Sequence, residues 1–214
     1  MTAASGDGSE LPAGSFSAWA AALDAALAGT SESDVACGSC TACCTSSQFI
    51  HIGPDEHDAL AHIPAALRFP APGLPKGHVL LGYDEQGRCP MLGDEGCTIY
   101  DHRPRTCRTY DCRVFPATGI ELDDPAKREI RDRARRWRFD HPTDADRAEH
   151  DATRVAAAHL GDADADLPGP VAHLDATQRA VLAVEVRRAF TADGPSSPDA
   201  VTAALHDALG PRRE

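Results

Sequence analysis

Apolar positions along this chain fall into three textures. Near the start, Phe16, Trp19, Ala20, Leu23 and Leu27 recur at the three-to-four spacing of one helix face. Ser15 or Ser17 is placed to cap that helix, and Gly29 to end it. Residues 1–15, rich in Gly, Ser and Ala with scattered acids, predict a disordered tail, and 30–36 a linker.

The middle third loses helical periodicity. Gln48 to Ile52 is a short β-prone run. Gly53-Pro54-Asp55-Glu56 opens a helix whose apolar side is Leu60, Ile63 and Leu67, bent or ended by Pro64. The prolines and glycines of 68–78 predict a loop. Val79 to Tyr83 and the polar turn Asp84 to Arg88 predict a small hairpin that presents Cys89.

Helical spacing returns in the last third. It predicts a charged helix over Ala126–Phe139, with Ile130, Ala134 and Trp137 on one side, and an Ala-rich helix over Ala145–Leu160. A third covers Ala176–Phe190 with Asp175 as cap. A last one starts at Ser197-Pro198-Asp199, runs to Leu209 and stops at Gly210. The expected fold is mainly α, with an irregular, metal-stapled cysteine-rich core and a short β-hairpin. The expected division is a tail and short helix (1–30), a cysteine domain (31–118) and a helical subdomain (119–214).

Composition sharpens this picture in one respect. The chain is 42% hydrophobic but only 5% aromatic, so much of its apolar content is alanine and buries little area per residue. A bound metal would compensate. Net charge is −12, which argues against nonspecific nucleic-acid binding. Arg103 to Arg138 nevertheless carries 11 of the 21 Lys and Arg residues against 6 acids, an opening for an acidic protein partner. No basic segment precedes an apolar one near the start, and no apolar run is long enough to span a bilayer. The expectation is a soluble, cytoplasmic protein with no membrane contact, whose thiols stay reduced.

The thiols carry the chemistry. All eight cysteines lie between Cys37 and Cys112. Cys37, Cys40, Cys43 and Cys44 form a C-x2-C-x2-C-C run; Cys89, Cys97, Cys107 and Cys112 follow after a 44-residue gap. Reduced thiols at such spacing point to a metal site, with disulfides and redox chemistry as the other readings. A C-x2-C-x2-C run supplies three ligands from one loop to an iron–sulfur cluster, with the fourth from afar; zinc is more often held by two separated pairs. The candidate metal ligands are thus Cys37, Cys40, Cys43, Cys89, Cys97 and Cys107, with Cys44 and Cys112 behind them. The cofactor is zinc or iron, including a 4Fe–4S cluster.

Around the second group, Asp101 is placed to cap a helix through Arg103-Pro104 to Tyr110. Arg103 and Arg108 would lower thiol pKa values if they face the sulfurs. Of the nearby histidines His51, His57, His62, His78 and His102, the last is best placed as an extra ligand. No phosphate loop, nucleophile elbow, H-E-x-x-H or dinucleotide fingerprint is present.

Three strings carry a family resemblance: Cys37-x2-Cys40-x2-Cys43-Cys44, then Cys89-Pro90-x-Leu92, then Cys97-x-Ile99-Tyr100-x2-Arg103-Pro104-x2-Cys107-Arg108. Together they resemble the YkgJ-type cysteine-cluster family of zinc- or iron-chelating domains. Thr41 departs from the Gly common in such proteins, and Cys112 lies beyond the family core. The resemblance implies metal binding. A related cysteine pattern is associated with flagellin lysine N-methylases, which implies a link to iron–sulfur chemistry. Three function classes follow: a metal-binding protein, an iron–sulfur-dependent protein-modifying enzyme of methylase type, and a zinc-stapled interaction module.

Overall fold

The computed structural model describes residues 9–31, 33, 35, 37–162 and 167–210. The expected tail therefore falls partly outside the described residues, as does part of the 30–36 linker. The chain divides into two compact units. A helical unit comprises Met1–Asp24, Cys112–Leu122 and Arg131–Glu214; a cysteine unit comprises Ala25–Asp111 and Asp123–Ile130.

In the helical unit, helices span Phe16–Leu27, Val114–Thr118, Asp144–Gly161, Ala176–Val186 and Pro198–Leu209. Three of them are started by side-chain caps. Thr143 and Asp146 form one capping box, Asp175 and Gln178 another, and the Ser197 hydroxyl accepts from Ala200 N–H. Ala156, Leu160, Leu182, Ala183, Val186, Phe190, Val201 and Leu205 then close one apolar core. Ser15 caps the first helix, its hydroxyl accepting from Ala18 N–H.

Two expectations are corrected here. Leu11–Ser15 is a strand rather than tail; it pairs in parallel with Trp137–Asp140, Leu11 opposite Trp137. The charged helix ends accordingly at Ala134, spanning only Arg128–Ala134 after a 3-10 turn at Pro125–Lys127. Trp137 and Phe139 were read at helical period, but a strand partner more than a hundred residues away claims their backbone groups. Ile130, Ala134 and Trp137 are all buried, as the periodicity required. The third helix also stops early, at Val186, and Phe190 lies in a two-residue strand.

The cysteine unit is built from short pieces. A three-stranded antiparallel sheet has Val79–Leu81 in the centre, flanked by Ile50–Ile52 and Arg68–Pro70. The last strand corrects the expected 68–78 loop: Pro70 is tolerated because it ends an edge strand, where no donor is needed. The hairpin is also displaced. It joins Leu92–Gly93 to Gly96–Cys97 and so carries Cys97, while Val79–Leu81 pairs elsewhere. The helix His57–His62 ends before Pro64, as expected. The core of this unit is small: Ile50, Ile52, Ala59, Ile63, Leu81 and Ile99, with Cys89, Cys97 and Cys107 packed against it. Regular helices dominate the helical unit, and four small sheets replace the single expected hairpin.

Candidate metal centre

The first cysteine group lies on a turn and a single 3-10 helix, Ala42–Thr45. It is fastened locally: Cys40 N–H donates to Cys37 C=O at 3.0 Å and Cys44 N–H to Thr41 C=O at 2.8 Å. Ser46, fully buried, donates its hydroxyl to Ala42 C=O at 2.6 Å, and the Lys127 ammonium caps the carbonyls of Ser46 and Ser47.

Two backbone hydrogen bonds zip this turn to the second group. Cys89 N–H donates to Cys44 C=O at 2.7 Å, and Ser47 N–H to Gly87 C=O at 2.9 Å. Gly87 has to be glycine. Its φ is +77°, and a Cβ there would collide with the Ser47 hydroxyl. The Asp84 carboxylate shapes the same turn by accepting from the N–H groups of Gln86 and Arg88.

Cys97 stands on the Leu92–Gly93/Gly96–Cys97 hairpin. Cys107 stands on the helix Arg105–Thr109, which Thr106 anchors by donating to His51 C=O at 2.8 Å. That helix starts later than Asp101 suggested. Tyr100–His102 is a 3-10 turn, and Arg103 is extended (φ −61°, ψ 141°) because Pro104 follows it. Arg103 lies 3.6 Å above the Tyr100 ring and donates from Nε to Tyr100 C=O.

These elements bring seven cysteines, Cys37, Cys40, Cys43, Cys44, Cys89, Cys97 and Cys107, to one cleft of about 720 Å³. Among the described residues none of them forms a disulfide. Burial, and then Cys89, Cys97 and Cys40, push the Cys44 thiol up to about 11. Burial, and then Cys44, Cys89 and Cys97, push Cys107 up to about 12. Burial also raises Cys89, opposed by the Met91 backbone N–H that donates to its sulfur. Arg103 faces the thiols and favours their ionisation, as expected, but burial outweighs it.

Cys44, Cys89, Cys97 and Cys107 form a tetrad in which charge on Cys89 and Cys97 disfavours ionisation of Cys44 and Cys107. A cation between them reverses that relation, since metal binding stabilises thiolates outright. The donor set fits a four-coordinate thiolate centre, and the Met91 N–H supplies the second-layer hydrogen bond to sulfur that such centres use.

Residues 36–135 match the CxxCxxCC family, described as a "Putative zinc- or iron-chelating domain". The match spans the cysteine segment and coincides with the resemblance carried by its three cysteine strings. No curated protein and no solved structure matches the chain.

Cys112 is not among the residues that line the cleft. It belongs to the helical unit, is buried, and its sulfur accepts from the Trp137 indole N–H at 3.3 Å. Among the described residues no histidine lines the cleft. His51 Nε2 and His78 Nδ1 are hydrogen-bonded to each other at 2.9 Å, and His57 is exposed. His102, expected beside the thiols, meets Asp58 and His62 instead. Spacing ranked Cys44 behind Cys43. What sequence could not supply was the Cys44–Cys89 backbone bond, which draws Cys44 inward.

Proposed function

We propose that the cysteine unit is a metal-binding domain whose tetrad Cys44, Cys89, Cys97 and Cys107 holds an iron–sulfur cluster, with zinc as the alternative. The observation that carries this reading is the convergence of seven cysteines on one cleft, with Cys89, Cys97 and Cys107 packed against one apolar core. One feature favours a cluster over a single ion: a cleft of about 720 Å³ leaves room for a polynuclear centre. When bound, such a group supplies electron transfer or a structural staple.

The chain's own residues hold the sulfurs convergent, offset their charge through Arg103, and brace the loops through Lys127 and Thr106. Against an acidic-partner role for the 103–138 arginines stands their use within the helical unit. Arg135 pairs with Glu121 at 2.7 Å and Arg138 with Glu10 at 2.8 Å.

Anaerobic purification followed by iron, zinc and acid-labile sulfide quantitation tests the proposal. Brown protein with matched iron and sulfide is expected. Colourless protein with stoichiometric zinc and no sulfide selects zinc. Protein that takes up neither metal defeats the reading.

A further inference from the structure

Away from the cleft, Asp58, His62 and His102 converge at the surface of the cysteine unit. His102 Nδ1 donates to Asp58 Oδ2 at 2.9 Å. His62 Nδ1 donates to Asp58 C=O at 2.9 Å and lies 3.5 Å from Asp58 Oδ1. The two imidazoles stack at 3.5 Å, only 5° from parallel, and both hold Nδ1 near the Asp58 carboxylate, so coordination by both requires a ring to tilt out of the stack. The three donor atoms all lie within 4.8 Å of one another. His62 and His102 side chains are 41% and 40% exposed and Asp58 68%, so an ion can reach them and keep water ligands.

We infer that Asp58, His62 and His102 form a second metal site, for a divalent first-row transition ion, chemically distinct from the thiolate centre. Two imidazoles and one carboxylate leave half of an octahedral shell open. That donor set suits Fe2+, Co2+, Ni2+ or Zn2+ rather than a thiophilic monovalent ion. Without metal, protons on the two Nδ1 atoms occupy the space between imidazoles and carboxylate. Coordination moves each proton to Nε2, with no net proton release from a neutral ring, and the ion takes its place.

Sequence spacing obscured the site. His62 and Asp58 are one turn apart on the helix His57–His62, but His102 comes from the 3-10 turn between Cys97 and Cys107. An ion there therefore ties that helix to the loop carrying two of the tetrad sulfurs. The inference does not rest on the identity of the thiolate metal.

Anaerobic equilibrium dialysis of the full chain as purified against Co2+ tests it, with visible absorption and imidazole proton NMR as readouts. The wild type is expected to bind one more equivalent of Co2+ than His62→Ala, His102→Ala or Asp58→Asn at the same free Co2+. The added ion should show weak ligand-field absorption without sulfur-to-cobalt charge transfer, and should shift the His62 and His102 imidazole protons paramagnetically. Co2+ uptake by the three variants equal to that of the wild type would overturn the site. So would charge-transfer bands for the added equivalent, or unshifted imidazoles in the wild type, a result that needs no variant to fold.

Discussion

Cys44 accepts a 2.7 Å hydrogen bond on its carbonyl from the backbone N–H of Cys89, joining residues separated by the whole gap between the two cysteine groups. The bond sets both side chains into one cleft. Serine at Cys44 or Cys107 should therefore cost most of the bound metal in anaerobically purified protein, measured by elemental analysis.

Cys112 should behave differently. Cys112→Ala leaves metal content unchanged and leaves the buried Trp137 indole N–H without its acceptor, a loss of about 1–3 kcal/mol. Elemental analysis and a urea melt followed by Trp fluorescence separate the two effects. Metal loss in Cys112→Ala equal to that in Cys44→Ser would contradict the tetrad.

Removing the metal should unfold the cysteine unit. Among the described residues its core rests on six buried apolar residues, against twelve in one cluster of the helical unit. Structural metal binding contributes about 10–16 kcal/mol, as large as the entire net stability of a typical domain. Chelation should abolish amide-exchange protection in Ile50–Ile52 and Val79–Leu81 while sparing Ala176–Val186.

Much of the helical unit was legible from apolar spacing, because Leu182, Val186, Val201 and Leu205 face one core made by neighbours in sequence. Caps at Asp175 and Ser197 were legible for the same reason: they act within three residues. What failed was long-range pairing. The partnership of Leu11–Ser15 with Trp137–Asp140 leaves no local mark, so Trp137 and Phe139 were read as helix. In the cleft, cysteine identity announced a metal site, but which sulfurs converge depends on the Cys44–Cys89 and Ser47–Gly87 backbone bonds. His102 was drawn to Asp58, a residue with no motif to flag it.

Arg187 should be among the costliest single positions in the helical unit. Only 1% exposed, it bonds both Asp24 carboxylate oxygens at 2.9 Å and Glu149 at 2.7 Å. Arg187→Ala leaves Glu149 without its cation and Asp24 with only Arg188 at 3.2 Å, a destabilisation of about 3–5 kcal/mol measurable by chemical denaturation. Arg187→Met, which restores volume without charge, should remain nearly as poor, because Glu149 stays unpaired.

Stability of the helical unit should fall as pH drops from about 6.5 towards 4. Burial, Arg154 and His141 push the His150 imidazole down to about 4, from an ordinary value of 6.5. The neutral ring, stacked 4.3 Å from Phe16, is the folded form, so the unfolded chain binds the extra proton across that window. The stabilisation is complete above about 6.5 and lost as pH falls through about 4. After allowance for solvent screening it amounts to about 1–2 kcal/mol. Urea midpoints at pH 7.5 and 4.5 should therefore differ more in the wild type than in His150→Gln; equal differences would remove His150 as the cause.

X-ray absorption at the metal edge of anaerobically purified full-length protein tests the thiolate centre most directly. The expected result is a nearest shell of sulfur at about 2.3 Å with roughly four scatterers per metal, as for tetrathiolate coordination. Cys44→Ser should lower that sulfur count together with metal content. A nearest shell made only of nitrogen and oxygen would contradict a metal held by Cys44, Cys89, Cys97 and Cys107.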